Sequence, residues 1–138
     1  MKKIRTKLVN ILGVALLMAM ITATGVRAAS TRETITLREN YIETDISITR
    51  SLKESFVTVR CISVYPTIYY KDEQYTKIRT CLRFFDHNQL SDFYTLIEGE
   101  HPTYVEIYEG YLDRKSMYLI FTGNSKKSAE ARVEYDPN

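Results

Sequence analysis

The chain has 138 residues, 44% of them hydrophobic and 26% charged, and its formal net charge is +2 at pH 7. This length is typical of one globular domain with a single core. Because the charge is nearly balanced and forms no basic stripe, the composition gives no electrostatic reason to bind nucleic acid.

The first 28 residues have the pattern of a secretory signal peptide. Four cations precede residue 8, residues 8–26 carry no charge, and the small residues Ala28, Ala29 and Ser30 follow Arg27. We expect cleavage after Ala28 or Ala29, leaving residues 29–138 as one secreted domain with no membrane attachment. The alternative is an uncleaved anchor, because the uncharged run could just span a bilayer. Five of the 19 cationic residues but none of the 17 acidic ones lie in this segment, so the secreted domain is mildly acidic.

The secreted part opens with two short alternating patterns. Ile35 and Leu37 alternate with polar residues, and Ile46 and Ile48 do the same a few residues later. Alternation with a period of two is typical of a strand with one buried face. We therefore predict two short strands between residues 31 and 56.

Residues 56–85 hold both cysteines and the densest run of β-branched and aromatic residues, interrupted only by the polar residues 71–74. This pattern predicts a β-hairpin. If residues 70–72 form the loop, or if a two-residue loop is combined with a bulge at Pro66, Cys61 lies directly opposite Cys81. Two cysteines in an exported chain most simply form a disulfide, so we predict a Cys61–Cys81 bond across one sheet. The alternative is two reduced thiols.

The second arm of this hairpin has a clear inner and outer face. Ile78 and Leu82 share one parity, which makes theirs the core face. Arg79, Cys81 and Arg83 then point outward. If Cys81 were a free thiol, the surrounding cations would lower its pKa and make it a conceivable nucleophile.

The first arm changes its phase along its length. Val57 and Val59 have one parity, whereas Val64 has the other. The alternation therefore predicts a β-bulge near Arg60, or a strand buried on both faces, and it places Cys61 outward.

Residues 89–98 are open to two interpretations. Leu90, Phe93 and Ile97 follow helical spacing, with Asn88 as a possible N-cap and Gly99 as a stop, which favours a short helix. The aromatic and β-branched residue types of the same segment favour a strand instead.

From Pro102 onward three alternating stretches are separated by turn residues at 113–115 and 123–125, which predicts a three-stranded meander. With the preceding elements this makes about seven short strands. We therefore predict an all-β fold, a single antiparallel β-sandwich that is immunoglobulin-like or a small barrel.

No residue pattern indicates a reaction. His87 and His101 lie in predicted turns without a second ligand at metal spacing, although Glu98, Glu100 and His101 could form an adventitious cation site. There is no phosphate loop or nucleophile elbow. We expect a non-enzymatic protein with no cofactor and no resident metal.

Tyrosine is the unusual residue type, with 11 copies beside no tryptophan. The alternation places four of them outward: Tyr65, Tyr104, Tyr108 and Tyr118. Tyrosine offers a large amphipathic contact surface, so these residues and the cationic strand face around Arg79 and Arg83 are the predicted binding residues for a protein or glycan surface. The absence of tryptophan favours a protein. The alternative function is a secreted bacteriocin-like antagonist or inhibitor in which the hairpin is the active element.

Overall fold

The computed structural model describes residues 30–66 and 76–138, which form two four-stranded antiparallel sheets. In chain order the strands are β1 (Thr31–Leu37), β2 (Thr44–Thr49), β3 (Phe56–Pro66), β4 (Lys77–Arg83), β5 (Tyr94–Ile97), β6 (Thr103–Glu106), β7 (Ser116–Gly123) and β8 (Ala129–Asp136). The first sheet has the order β1-β8-β3-β6 and the second the order β2-β7-β4-β5. The predicted all-β antiparallel sandwich is confirmed, with eight strands in the described residues.

Consecutive strands lie in different sheets, with the exception of β4 and β5. This strand order is that of a jelly roll, an eight-stranded sandwich built from two Greek keys, and it differs from the order of the immunoglobulin fold. The connections therefore collect at the two ends of the sandwich. At one end the Asn40 N–H donates to the Lys126 carbonyl at 2.8 Å, and at the other the Arg50 N–H donates to the Lys115 carbonyl at 2.8 Å.

The core lies between the two sheets and is supplied by alternate residues of each strand. Along β8, for example, every second residue from Ala129 to Tyr135 is buried, while the residues between them are exposed or half-buried. The largest fully buried side chains come from both sheets: Leu37, Val57, Val59, Ile78, Leu82, Leu90, Leu96, Val105, Met117, Leu119, Phe121 and Val133. Burial of this apolar surface is the main force that holds the sheets together.

The predicted hairpin between β3 and β4 is wrong. β3 pairs with β6 and β8, whereas β4 pairs with β5 and β7 in the other sheet. The loop proposed for the hairpin falls within residues 67–75, outside the described residues. β3 ends at Pro66 and β4 begins at Lys77, so the two strands flank the polar interruption at 71–74, but they lie in different sheets.

The predicted disulfide is also wrong, because both cysteines are free and buried. Cys61 lies opposite Val133 in the first sheet, and Cys81 lies opposite Ile120 in the second. The register argument for the bond required both cysteines in one sheet, and this condition is not met.

The predicted β-bulge in β3 is confirmed, with the irregularity placed between Cys61 and Ser63. Since the shift comes after Cys61, this residue keeps the parity of Val59 and faces the core. The outward orientation predicted for Cys61 is therefore wrong. Beyond the bulge, Val64 is the residue of β3 that is buried in the core.

The predicted meander is wrong, and of the two interpretations left open for residues 89–98 the strand, not the helix, is observed. β6 and β8 belong to the first sheet and β7 to the second, so none of these three strands pairs with another. Residues 94–97 form the strand β5, and the part of the chain that the structure describes contains no helix beyond short 3₁₀ turns. Here the residue types outweigh the helical spacing, because pairing with β4 buries Leu96 in the core.

The predicted signal peptide, residues 1–28, lies outside the described residues. Within the two described ranges, no helix has the length and apolar character needed to cross a membrane.

Candidate functional site

The outer face of the second sheet brings cations and aromatic rings together. Arg79 and Arg83 project from β4 with the parity opposite to the core residues, and Tyr118 of β7 lies directly opposite Arg83. Phe85 follows β4, and Phe93 precedes β5. We call these five residues the aromatic–cationic face.

Phe93 packs beneath both guanidinium groups of this face. The Cζ atom of Arg79 lies 4.5 Å from the centroid of the Phe93 ring, and the Cζ atom of Arg83 lies 5.9 Å from it. A cation over an aromatic ring contributes about 0.5–1 kcal/mol at an exposed site. The ring also restrains the Arg79 guanidinium, which makes no ion pair among the described residues.

Tyr118 and Phe85 extend the face toward one end of the sandwich. Their ring centroids are 4.7 Å apart with an interplanar angle of 83°, the edge-to-face geometry that aromatic pairs prefer. Phe85 also packs on Phe84 at 5.4 Å, and the Cζ atom of Arg114 lies 4.8 Å above the Phe84 ring. Phe85 remains 43% exposed, so a large part of this ring is available to a partner.

Arg83 is neutralised by an ion pair that crosses the face. Its Nη1 atom lies 2.5 Å from the Oε2 atom of Glu43, a residue that immediately precedes β2. Since β7 separates β4 from β2, the pair spans the outer surface of β7. Cys81 and Ile120 lie opposite each other beneath this surface and are almost completely buried.

Cys81 points to the outer face as predicted, but it is not an activated thiol. Burial raises its pKa from 9.0 to about 11, with a further contribution from Glu43, and the opposing effect of Arg83 and Arg79 is too small to prevent this. The thiol is therefore protonated at neutral pH. The expectation that the neighbouring cations would lower its pKa is wrong, because desolvation of the thiolate outweighs their attraction.

Two predicted tyrosines lie on the opposite surface of the molecule, the outer face of the first sheet. Tyr104 is 59% exposed and packs edge-on against Phe56 at a centroid distance of 4.8 Å. Tyr65 is 63% exposed near the far end of β3. The predicted tyrosines therefore do not form one cluster, and only Tyr118 joins Arg79 and Arg83.

Tyr108 follows β6 in the connection to β7, beside the loop that leads into Phe93. Its backbone N–H donates to the Leu90 carbonyl at 2.8 Å, and its hydroxyl donates to Oδ1 of Asp92 at 2.7 Å. This hydrogen bond, together with the Asp92 charge, raises the pKa of Tyr108. The residue ties two loops together at the margin of the aromatic–cationic face.

The residues considered for catalysis or metal binding either form hydrogen bonds with the backbone or are exposed to solvent. The Glu98 carboxylate binds the backbone of β3, while Glu100 and His101 are exposed. His87 has a φ of 68° in a turn in which its N–H donates to the Phe84 carbonyl. Among the described residues, no three His, Cys, Asp or Glu side chains are grouped so that they could hold a metal ion.

Sequence reasoning missed three residues of this region: Glu43, Phe85 and Phe93. The signal for Phe93 was available, because reading residues 93–97 as a strand puts Phe93 on the same outer side as Thr95. Glu43 could not be found this way, since its partner Arg83 is 40 residues away in the sequence.

No model of a known protein family matches the chain, and no curated protein shows significant similarity to it. Jelly-roll domains carry many unrelated functions, so the strand order alone assigns none to this protein.

Proposed function

We propose that this protein is a secreted, non-enzymatic binding domain that attaches to a protein partner through its aromatic–cationic face. The observation that carries the proposal is the continuous series of contacts on one face. Arg79 and Arg83 stack on Phe93, Arg83 lies opposite Tyr118, and Tyr118 packs on Phe85.

These residue types and their arrangement suit a protein interface. Aromatic residues and arginine supply most of the binding energy at such interfaces. Here the neighbours of each side chain hold it in position, so less side-chain entropy is lost when a partner binds. The outer face of an open sheet also matches the broad surface of a protein better than it would enclose a small molecule.

The other candidates have less support. A glycan partner is less favoured because the chain has no tryptophan to stack on sugar rings. The antagonist alternative depended on a stapled hairpin as the active element. Because β3 and β4 lie in different sheets and both cysteines are free, no observation now favours that alternative.

The test compares the two outer faces of the sandwich. Fluorescently labelled protein is added to the producing cells, and saturable binding is measured by flow cytometry with and without prior protease treatment of the cells. We expect the double variant Phe85→Ala/Tyr118→Ala to lose most of the binding. The matched control is Tyr65→Ala/Tyr104→Ala, which removes two exposed aromatic residues from the opposite face and should bind like the unmodified protein.

Thermal unfolding of both double variants shows whether each retains its fold. The proposal fails if the unmodified protein shows no saturable binding, if protease treatment of the cells leaves binding intact, or if the Tyr65/Tyr104 variant is the one that loses it.

A further inference from the structure

We infer that the partner presents an extended acidic segment, and that Lys77 and Arg79 bind two of its carboxylates at alternate positions. This inference rests on the proposed function and names the chemistry of the partner. It follows from three properties of the outer face of β4: the distribution of its charges, the spacing of its cations, and the position of its aromatic rings.

Charge is unevenly distributed along the outer face of β4. Arg83 is paired with Glu43, whereas Arg79 and Lys77 are exposed and make no ion pair with any described residue. The cross-strand neighbours of Arg79 are Thr95 and Thr122, both uncharged. Among the described residues, the half of the face that includes Lys77 and Arg79 is therefore cationic, and the half around Arg83 is neutral.

Arg79 is already oriented for a carboxylate. Its Cζ atom lies 4.5 Å from the centroid of the Phe93 ring, so the ring restrains the group while its N–H donors make no ion pair with a described residue. A planar guanidinium with free edge donors matches the two oxygens of a carboxylate. Because the stack holds the side chain before binding, ordering it adds little entropy cost.

The spacing of the two cations selects an extended chain. Lys77 and Arg79 are two residues apart on one strand, which separates their Cα atoms by roughly 6.5–7 Å. An extended peptide lying along β4 has the same rise and directs every second side chain toward the sheet. Acidic side chains at positions i and i+2 of such a peptide would meet Arg79 and Lys77 together.

The aromatic half of the face adds a third position. Arg83, and Tyr118 opposite it, lie six residues beyond Lys77 along the same strand direction. A peptide whose first acidic side chain meets Lys77 would therefore place its residue i+6 beside Tyr118 and Phe85. An aromatic residue there would pack on exposed ring surface, so the sequence pattern that fits the face is acidic-x-acidic-x-x-x-aromatic.

The probe for this inference is the synthetic peptide Ser-Glu-Thr-Glu-Thr-Ser-Thr-Tyr-Ser, with its binding to the purified protein measured by fluorescence anisotropy at low and at physiological salt. We expect Arg79→Gln and Lys77→Gln each to weaken binding by about tenfold, equivalent to about 1.4 kcal/mol. The matched control is Arg132→Gln. Arg132 is exposed on the outer face of the first sheet, it forms no ion pair among the described residues, and its loss should leave binding unchanged.

Two further peptides show whether binding depends on the spacing of the two glutamates or only on their charge. The first replaces both glutamates with glutamine and should not bind. The second places the two glutamates at adjacent positions, so that only one can face the sheet, and should bind about tenfold more weakly. Equal binding of the alternate and adjacent peptides, or equal loss with Arg132→Gln, would overturn the inference.

The experiments distinguish failure of the acidic-segment inference from failure of the proposed function. If the peptide does not bind but Phe85→Ala/Tyr118→Ala still abolishes binding to cells, the acidic-segment inference fails and the proposed function stands. Binding of polyphosphate or of a sulfated glycan in place of the peptide, with the same dependence on Arg79, would also overturn the inference. If cell binding itself is insensitive to this face, both fail.

Discussion

The Glu98 carboxylate accepts a hydrogen bond of 3.0 Å from the Val64 N–H. Val64 follows the β-bulge of β3, where the strand register shifts. A bulge leaves backbone groups without a partner in the ladder, and a buried unpaired N–H is costly. The carbonyl of Cys61, on the other side of the bulge, is satisfied by the Gly99 N–H at 3.0 Å. The loop that follows β5 therefore completes the hydrogen bonding of the bulge.

Replacement of Glu98 by alanine should destabilise the protein by about 1–2 kcal/mol, because the Val64 N–H would lose its acceptor. The glutamine variant keeps an acceptor oxygen and should lose less. Urea denaturation measures both. The nearby Glu100→Ala variant, which alters an exposed side chain, is the control and should change stability little. A Glu98→Ala variant as stable as the unmodified protein would show that water replaces the carboxylate.

The assignment of inner and outer faces is tested by a core residue and an exposed residue. Leu82 is fully buried, so its replacement by alanine should cost about 2–4 kcal/mol through lost burial and the cavity left behind. Tyr104 is 59% exposed, and its alanine variant should lose only part of one aromatic contact, about 0.5–1 kcal/mol. Thermal or urea unfolding compares them. Similar losses for both variants would contradict the assignment.

The two thiols predict a loss of stability in alkali. Burial raises the pKa of Cys61 and of Cys81 from 9.0 to about 11. The folded protein therefore holds thiol protons that the unfolded chain releases between these values, and linkage makes stability fall with pH in that range. The contribution of the two protonated thiols to the free energy of unfolding should be fully present below about pH 9 and lost as the pH rises through about 11.

Urea midpoints measured from pH 7 to 11 test this expectation. The Cys61→Ala/Cys81→Ala variant should show a shallower alkaline decline, while Tyr108 and Tyr135, whose pKa values are also raised, contribute equally to both proteins. A thiol reagent should label the native protein slowly at pH 7, because a thiol of pKa about 11 is ionised to roughly one part in ten thousand. Rapid labelling without denaturant would show that the thiols are exposed or ionised.

The sequence predicted individual strands better than their partners. Along β4 the alternation of Ile78 and Leu82 with Arg79 and Arg83 correctly gave both faces, because side-chain direction depends on local backbone geometry. Pairing depends instead on which sheet the chain enters after a turn. Turn residues end a strand in the same way whether the chain returns to its neighbour or crosses the sandwich, so the predicted hairpin and meander failed.

Only part of the candidate site could be predicted, because side-chain direction depends on local geometry whereas strand pairing does not. Arg79, Arg83 and Tyr118 were correctly placed outward, but the strand order was needed to show that they share a face while Tyr104 lies on the opposite one. The covering of Cys81 was not predictable either. It is an outward position by parity, and the Arg83–Glu43 ion pair on this face joins residues 40 apart in the sequence.

Arg50 is 3% exposed and has no carboxylate partner among the described residues. Its guanidinium donates instead to the Glu54 carbonyl and to the carbonyls of Arg114 at 3.1 Å and Leu112 at 3.4 Å. It therefore joins the loop after β2 to the loop before β7. A guanidinium can reach several carbonyls at once because its donors are fixed in one plane.

Arg50→Met keeps much of the apolar volume but leaves these carbonyls without donors, so it should destabilise the protein by about 2–4 kcal/mol. Arg50→Lys retains the charge but not the planar arrangement of donors and should recover only part of this loss. Lys53→Met, at an exposed position in the same loop, is the matched control. Urea denaturation gives the stabilities, and hydrogen exchange should show faster opening of residues 112–115 in Arg50→Met. Unchanged exchange there would mean that Arg50 does not couple the two loops.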